Sequence, residues 1–313
     1  MFSNFLVAVS AVVPLFCLMS IGVFVKRSKL MTDEELVHTN RMVFKVFFFC
    51  MMFYNIYITD LASTVRPGLM LFGAAGVFSV FLAATALICV FEPSNKRRGA
   101  MSQAIFRSNF VLMGIPLVGN IFGEDQLAIP TMMIAVIVPI YNVLAVFVLE
   151  TFRGGHWDLG GILLGVLKNP MILGAIVAVV FRLLDIPVPK PILKPIGQVA
   201  AATTPVALII LGASFKGGSF HAHLPQLIAC TLSRLLLVPG LMLSLAVYLG
   251  FRGIDLVTLV AIFATPCAVA SFAMAQQMDS DADLAGNCVV YTSALSCFTI
   301  FGWIFLLKTL ELF

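Results

Sequence analysis

Apolar runs long enough to cross a lipid bilayer follow one another along the whole chain, at 5–25, 36–58, 69–91, 100–122, 126–149, 161–183, 194–215, 224–249, 255–277 and 284–308. One crossing needs roughly 20 predominantly apolar residues. Ten crossings therefore consume about 200 residues of a 313-residue chain and leave no room for a large soluble domain. Charged residues make up only 11% of the sequence and hydrophobic ones 61%, whereas a soluble domain carries about 25% charged residues. A soluble fold cannot hide that much apolar surface, so the sequence predicts an all-α polytopic membrane protein.

The first run is followed, not preceded, by Lys26, Arg27 and Lys29. That order is wrong for a cleaved signal peptide, and the run is expected to stay as the first span in a cytoplasmic membrane. The net charge of +4 comes from loop cations and speaks to orientation, not to nucleic acid. Nine cations (Lys26, Arg27, Lys29, Lys96, Arg97, Arg98, Arg153, Lys168 and Lys216) fall on the side reached after runs one, three, five and seven, and six on the other. Lys and Arg favour the cytoplasmic side. Both termini are therefore expected outside, with Arg97, His156 and the central loop 153–160 inside. The seven cysteines (Cys17, Cys50, Cys89, Cys230, Cys267, Cys288 and Cys297) lie in or beside apolar runs, with no CxxC or Cys/His metal spacing, and read as packing residues.

Landmarks recur near half the chain length. Pro116 and Pro266 each lie in the fourth run of their half, and each precedes an acidic turn, Gly123-Glu124-Asp125 or Asp279-Ser280-Asp281, and a fresh apolar run. With five spans per half, the second half is inverted relative to the first, an arrangement common in secondary transporters. The expected halves are 1–152 and 161–313, joined by the cytoplasmic loop 153–160.

Several segments, in order, are similar to those of one family. Pro14-Leu-Phe-Cys-Leu-Met-Ser-Ile-Gly22 with the basic turn and Thr32-Asp-Glu-Glu35 resembles the opening of the auxin efflux carrier family, whose bacterial members include malate and malonate permeases. So do Asn109-Phe-Val-Leu-Met-Gly-Ile-Pro116-Leu, Pro139-Ile-Tyr-Asn142, Thr204-Pro205-Val-Ala-Leu-Ile-Ile-Leu-Gly212 and the Pro266 segment with its acidic turn. The resemblance covers essentially the whole chain. It implies a bile-acid-transporter type of fold, with a scaffold from helices 1, 2, 6 and 7 and a transport domain from helices 3, 4, 5, 8, 9 and 10, whose helices 4 and 9 are broken and cross. Span two departs from the family, since Phe47-Phe-Phe-Cys50-Met-Met-Phe-Tyr-Asn55 has no proline where members often carry one.

Proline within a membrane helix frees backbone carbonyls, which are tolerated only where they find partners or line a cavity. Gly114-Ile115-Pro116 and Thr265-Pro266-Cys267 are thus expected to be unwound crossings, and the half-helix N-termini there would suit an anionic head group. The alternative is that each proline merely kinks a packed helix. Asn109 lies two turns before Pro116 on the same face and can donate to a carboxylate, or serve as a polar contact between helices. Tyr54-Asn55, Tyr141-Asn142 and Tyr291-Thr292-Ser293 are further polar clusters in apolar runs, expected to face the interior.

Among the cations within runs, Arg41 and Arg107 lie near predicted inner ends and are expected to snorkel. Lys45 and Arg234 are deeper, and Arg234 either meets the substrate or braces a neighbouring helix. Apart from Glu150 at a helix end, no Asp or Glu falls clearly inside a run, which argues against cation exchange. Asp279, Asp281 and Asp283 are expected to cap the helix that begins near Leu284.

The expected protein is a secondary transporter and not an enzyme, with no cofactor. Its ligand would be a small organic anion, malate- or malonate-like on the bacterial side of the resemblance or an indole acid on the side of its namesake. Its other partner is the lipid bilayer, and a homodimer is one assembly open to it. The competing readings are an anion channel and an intramembrane metal-dependent enzyme built on Asp279 to Asp283.

Overall fold

The computed structural model describes residues 2–58, 66–153, 159–215 and 223–313. His156, Lys216, His221 and most of the 153–160 loop lie outside them. Among the described residues the chain is helical with no strand. The helices are α1 (Phe2–Arg27), α2 (Asp33–Ile58), α3 (Pro67–Phe91), α4 (Asn95–Phe106), α5 (Phe110–Phe122), α6 (Ala128–Arg153) and α7 (Leu159–Lys168). They continue as α8 (Pro170–Leu183), α9 (Lys190–Ser214), α10 (Leu224–Tyr248), α11 (Gly253–Phe263), α12 (Ala270–Gln277) and α13 (Ala282–Thr309). Six of them, α2, α3, α6, α9, α10 and α13, are long and apolar enough to cross a membrane, and the bent pair α7–α8 makes a seventh. Large apolar side chains such as Leu71, Phe91 and Leu241 point outward, as they do where the surroundings are hydrocarbon rather than water.

Local chemistry sets the helix ends. Thr32 opens α2 with a capping box, its Oγ1 accepting from the Glu35 N–H while the Glu35 carboxylate accepts from the Thr32 N–H. Asp281 opens α13 by accepting from the Leu284 N–H at 2.9 Å, and Asp279 pairs with Arg153 at 2.8 Å. Capping thus accounts for Asp281, and among the described residues no cluster of three His, Cys, Asp or Glu is placed to hold a metal. The run at 161–183, read as one helix, is instead bent by 67° between α7 and α8. Asn169 is extended there, accepts from the Met171 N–H and precedes Pro170 at the first turn of α8, so an N-cap and a proline together restart the helix.

Glycines let α1, α2, α8 and α9 pack at backbone distance. A Cβ at Gly22 would fall on the Ile209 carbonyl oxygen of α9, one at Gly212 on that of Met19 of α1, and one at Gly174 on that of Phe49. Small residues at a contact are how helices approach closely in lipid, where no hydrophobic force separates helix from solvent.

The centre of the molecule is made by two interruptions. Between α4 and α5 the chain is extended at Arg107 (φ −92°, ψ 114°), and between α11 and α12 residues 264–269 leave the helix. The two segments run antiparallel and pair, Ser108 opposite Cys267. The Asn109 N–H donates to the Pro266 carbonyl at 2.8 Å and the Ala268 N–H to the Arg107 carbonyl at 3.2 Å. The Cys267 N–H donates to Thr292 Oγ1 of α13 at 3.1 Å. Each break thus supplies hydrogen-bond partners for the other, which is how unwound backbone is tolerated at the core.

This corrects one expectation. The first break lies at 107–109, and Gly114, Ile115 and Pro116 are helical, Pro116 in the first turn of the segment that begins at Ile115. A π turn over Phe110–Gly114 precedes it. Pro116 has no N–H to donate, and the helix continues through it directly behind the wider π turn, without an unwound segment.

Candidate functional site

A cavity of about 110 Å³ lies against the paired breaks. Asn55 of α2 and Thr204 of α9 form one side of it, and Arg107, Ser108 and Asn109 of the first break, Tyr141 and Asn142 of α6 and Ala268 of the second break line the rest. The polar side chains of this wall are buried: Arg107 is 4% exposed, Asn109 6% and Asn142 1%.

Arg107 is a buried cation in this wall that no carboxylate among the described residues balances. Its Nη2 donates to Asn142 Oδ1, and its Nη1 to Met274 Sδ at 2.7 Å and Gln103 Oε1 at 3.3 Å. All three acceptors are neutral, and among the described residues no carboxylate pairs with it. A guanidinium out of water without a counter-ion carries a desolvation penalty of several kcal/mol, which an anion entering the cavity would offset. Beside it, Asn109 Nδ2 is buried and has no partner among the described residues. Asn142 relays the position of Arg107 to α2, its Nδ2 donating to Met52 Sδ at 2.9 Å. Ser108 Oγ donates to the Tyr141 hydroxyl at 3.0 Å, which donates to the Ile262 carbonyl at 3.2 Å.

Arg234, carried by a π turn of α10 (Ser233–Leu237), is fully buried on the other face of the breaks. Its Nε donates to the Thr265 carbonyl at 2.8 Å, Nη1 to those of Ile105 at 3.0 Å and Phe106 at 3.4 Å, and Nη2 to that of Ile262 at 3.0 Å. The Ile105, Phe106 and Ile262 carbonyls are among the last of α4 and α11, which lack partners within their own helices and carry the negative ends of both dipoles, and the Thr265 carbonyl belongs to the second break just beyond α11. One planar, five-donor cation thus serves two converging helix ends. The arrangement matches the brace and leaves Arg234 off the cavity wall.

The structure brings Asn55, Asn109, Tyr141 and Asn142 together on the cavity. Tyr54 turns instead toward α9, its ring against Gly197. Thr265, Pro266 and Cys267 form the backbone of the second break and lie outside the cavity lining. Pro116 lines a separate, apolar pocket of about 200 Å³ with Pro14, Leu112, Thr204 and Pro205, and Gly114 packs on Ala261. Lys45 is exposed on α2 and off the cavity, and Arg107, expected to snorkel, is buried in the wall. Arg107 and Ser108 are the residues the sequence reading missed, although Arg107-Ser108-Asn109, three polar residues in the middle of an apolar run, were a signal of the break.

Comparison with known proteins agrees with this architecture. The chain matches the family described as "Membrane transport protein" over residues 7–155 and 159–304. It is 22% identical over 225 residues to an uncharacterized transporter of Methanocaldococcus jannaschii, covering 69% of this chain and 71% of that protein. With nearly all of its length matched, the chain belongs to this family of membrane transport proteins, the auxin efflux carrier family.

Proposed function

We propose that the protein is a secondary transporter that moves small organic anions across the cytoplasmic membrane by alternating access. The observation that carries this reading is Arg107, buried in the cavity wall beside the Asn109 amide nitrogen, with neither a carboxylate for the first nor a partner for the second among the described residues. The ligand supplies the missing negative charge. With Arg234 committed to four carbonyls, the cavity offers the Arg107 guanidinium for one carboxylate and the Asn109 amide as a donor to a second acceptor of the ligand. A volume of about 110 Å³ lies well under the ~300–1,000 Å³ of drug-sized pockets, which favours an acid of a few carbons, as in the malate and malonate class, over an indole acid.

In this reading α1, α2, α3, α4–α5 and α6 are the first five spans, and α7–α8, α9, α10, α11–α12 and α13 are their inverted counterparts. Broken fourth helices in both halves and their antiparallel pairing support that assignment. The glycine-packed α1, α2, α8 and α9 form the scaffold, and the remaining helices form the moving body, with the cavity on the seam between them. Both termini are extracytoplasmic and Arg97 is cytoplasmic, on the Lys/Arg count. A cysteine at position 97 is expected to react with an impermeant maleimide only after the cells are opened, and labelling in intact cells would reverse the orientation.

The functional test is competition in proteoliposomes loaded with a labelled short-chain dicarboxylate. Free acids are expected to inhibit saturable uptake and to drive counterflow, whereas their neutral methyl esters are not. Equal inhibition by acid and ester would refute an anion site, and flux without saturation or counterflow would indicate a channel.

A further inference from the structure

A second, larger concavity lies away from the crossing. A groove of about 610 Å³ runs between α3 and α10, walled by Val80, Ala84 and Ile88 on one side and Ala229 and Leu241 on the other, with Met101 of α4 among its residues. On α3 it extends from Ser79 to Glu92, about 20 Å at 1.5 Å per residue. That length is comparable to the hydrocarbon of a single leaflet, roughly 15 Å as half of a ~30 Å core.

The groove is apolar along its length and charged at one end. There Glu92 closes the C-terminus of α3, its Oε2 accepting from Gln226 Nε2 of α10 at 2.9 Å and its Oε1 from Arg97 Nε at 3.1 Å and the Ser94 N–H at 3.0 Å. Glu92 thus ties the two walls together at the mouth. Three consecutive cations, Lys96, Arg97 and Arg98, follow this carboxylate in sequence; Arg97 pairs with it, and the Lys96 carbonyl accepts from the Asp281 N–H at 3.1 Å, which brings a second acid to this end. Arg98 turns inward to the carbonyls of Glu92 and Cys89 and over the Phe152 ring. Arg97 is partly exposed, and Lys96 is exposed with no carboxylate partner among the described residues.

We propose that this groove binds an anionic phospholipid, with one acyl chain lying along residues 79–92 of α3 and the phosphate seated on Arg97 and Lys96. An apolar slot of leaflet length with surplus positive charge only at its mouth complements that one chemistry. Basic pockets between membrane helices commonly hold anionic head groups, and a chain ordered in the slot would be shielded from exchange with bulk lipid. The groove is separated from the crossing cavity by α4, so the lipid would stabilise the body that carries the site without competing for it.

The test uses the full-length protein in nanodiscs of phosphatidylcholine with and without phosphatidylglycerol, following thermal unfolding. The midpoint is expected to rise by about 3 °C with phosphatidylglycerol, the scale of a ligand worth roughly 1 kcal/mol in a chain of this size. The rise should vanish both in the Lys96→Gln/Arg97→Gln double variant, which removes the phosphate seat, and in Ala229→Trp, which fills the groove. In phosphatidylcholine alone Ala229→Trp should match wild type, whereas the double variant, which leaves the buried Glu92 without Arg97, should start from a lower midpoint, and its response to phosphatidylglycerol is read against that baseline. Equal wild-type midpoints in the two lipids would overturn the proposal, as would a rise that survives in either variant. Soluble glycerol phosphate reproducing the rise would remove the acyl chain from it. A change of oligomeric mass in Ala229→Trp would make the groove a protein interface instead.

Discussion

Replacing Arg107 by Gln is expected to weaken anion transport by about 100-fold or more while leaving the amount of folded protein near wild type. Removing one member of a buried ion pair costs about 3 kcal/mol or more, and each 1.4 kcal/mol is a factor of ten in affinity. Here the second member is the ligand, so the loss falls on binding and not on the fold. Gln keeps a donor for Asn142 and removes a buried cation that nothing in the empty protein balances. The ligand-free variant should therefore unfold at or above the wild-type temperature. Asn109→Ala, which removes only a neutral donor, is expected to cost about tenfold, the worth of roughly 1.5 kcal/mol for a hydrogen bond to a charged group. The check is the concentration dependence of uptake in proteoliposomes, read beside the unfolding midpoint. Near-normal uptake by Arg107→Gln would place recognition elsewhere, and a midpoint several degrees below wild type would make Arg107 a structural residue.

Arg234→Ala should behave in the opposite way, with the loss falling on the fold. Four carbonyls at or just beyond the ends of α4 and α11 converge on this guanidinium, and an unsatisfied buried acceptor costs about 1–3 kcal/mol. Losing several of them removes an amount comparable to the ~5–15 kcal/mol net stability of a typical protein. The variant is expected to yield little monodisperse protein after solubilisation. Arg234→Lys, which keeps the charge but offers a point-like head in place of a planar fork, should recover part of the yield with a lowered midpoint. If Arg234→Ala instead folds normally and fails only in transport, its side chain meets the ligand and the brace is not essential.

Much of this could be read before any coordinates, for a physical reason. Lipid leaves a chain few options, so apolar runs of the right length locate helices to within a few residues, and polar side chains stranded inside them mark surfaces that must turn inward. Asn55, Asn109, Tyr141 and Asn142 were legible on that ground, and Asp281 as a cap on its spacing to Leu284. The break at 107–109 was marked only by three consecutive polar residues, Arg107-Ser108-Asn109, and by no proline or glycine. It is created by pairing with residues 264–269, and a contact across the two halves of the chain leaves no local periodicity. Pro116 drew attention because proline is a strong local signal, yet the helix continues through it behind the π turn at Phe110–Gly114. Arg107 was assigned to a span end because depth was counted from an apolar run starting at 100, whereas α4 begins at Asn95 and stops short of Arg107. The bend at Asn169-Pro170 carried its own signal, a capping residue before a proline, but the unbroken hydrophobicity on both sides masked it.

The mutual pairing of the two breaks also sets a schedule for biogenesis. When residues 107–109 leave the ribosome, their backbone partners at Pro266 and Ala268 have not been made. At about 5–20 residues per second, synthesis of the intervening chain takes roughly 10–30 s. For that interval the first half sits in the membrane with the polar segment 107–109 lacking its partners, an unbalanced arginine and the unbraced end of α4, because Arg234 is also still to come. A chain that stalls before position 264 therefore presents to membrane quality control a polar gap within an apolar helix, a mark by which an unfinished transporter differs from a finished one.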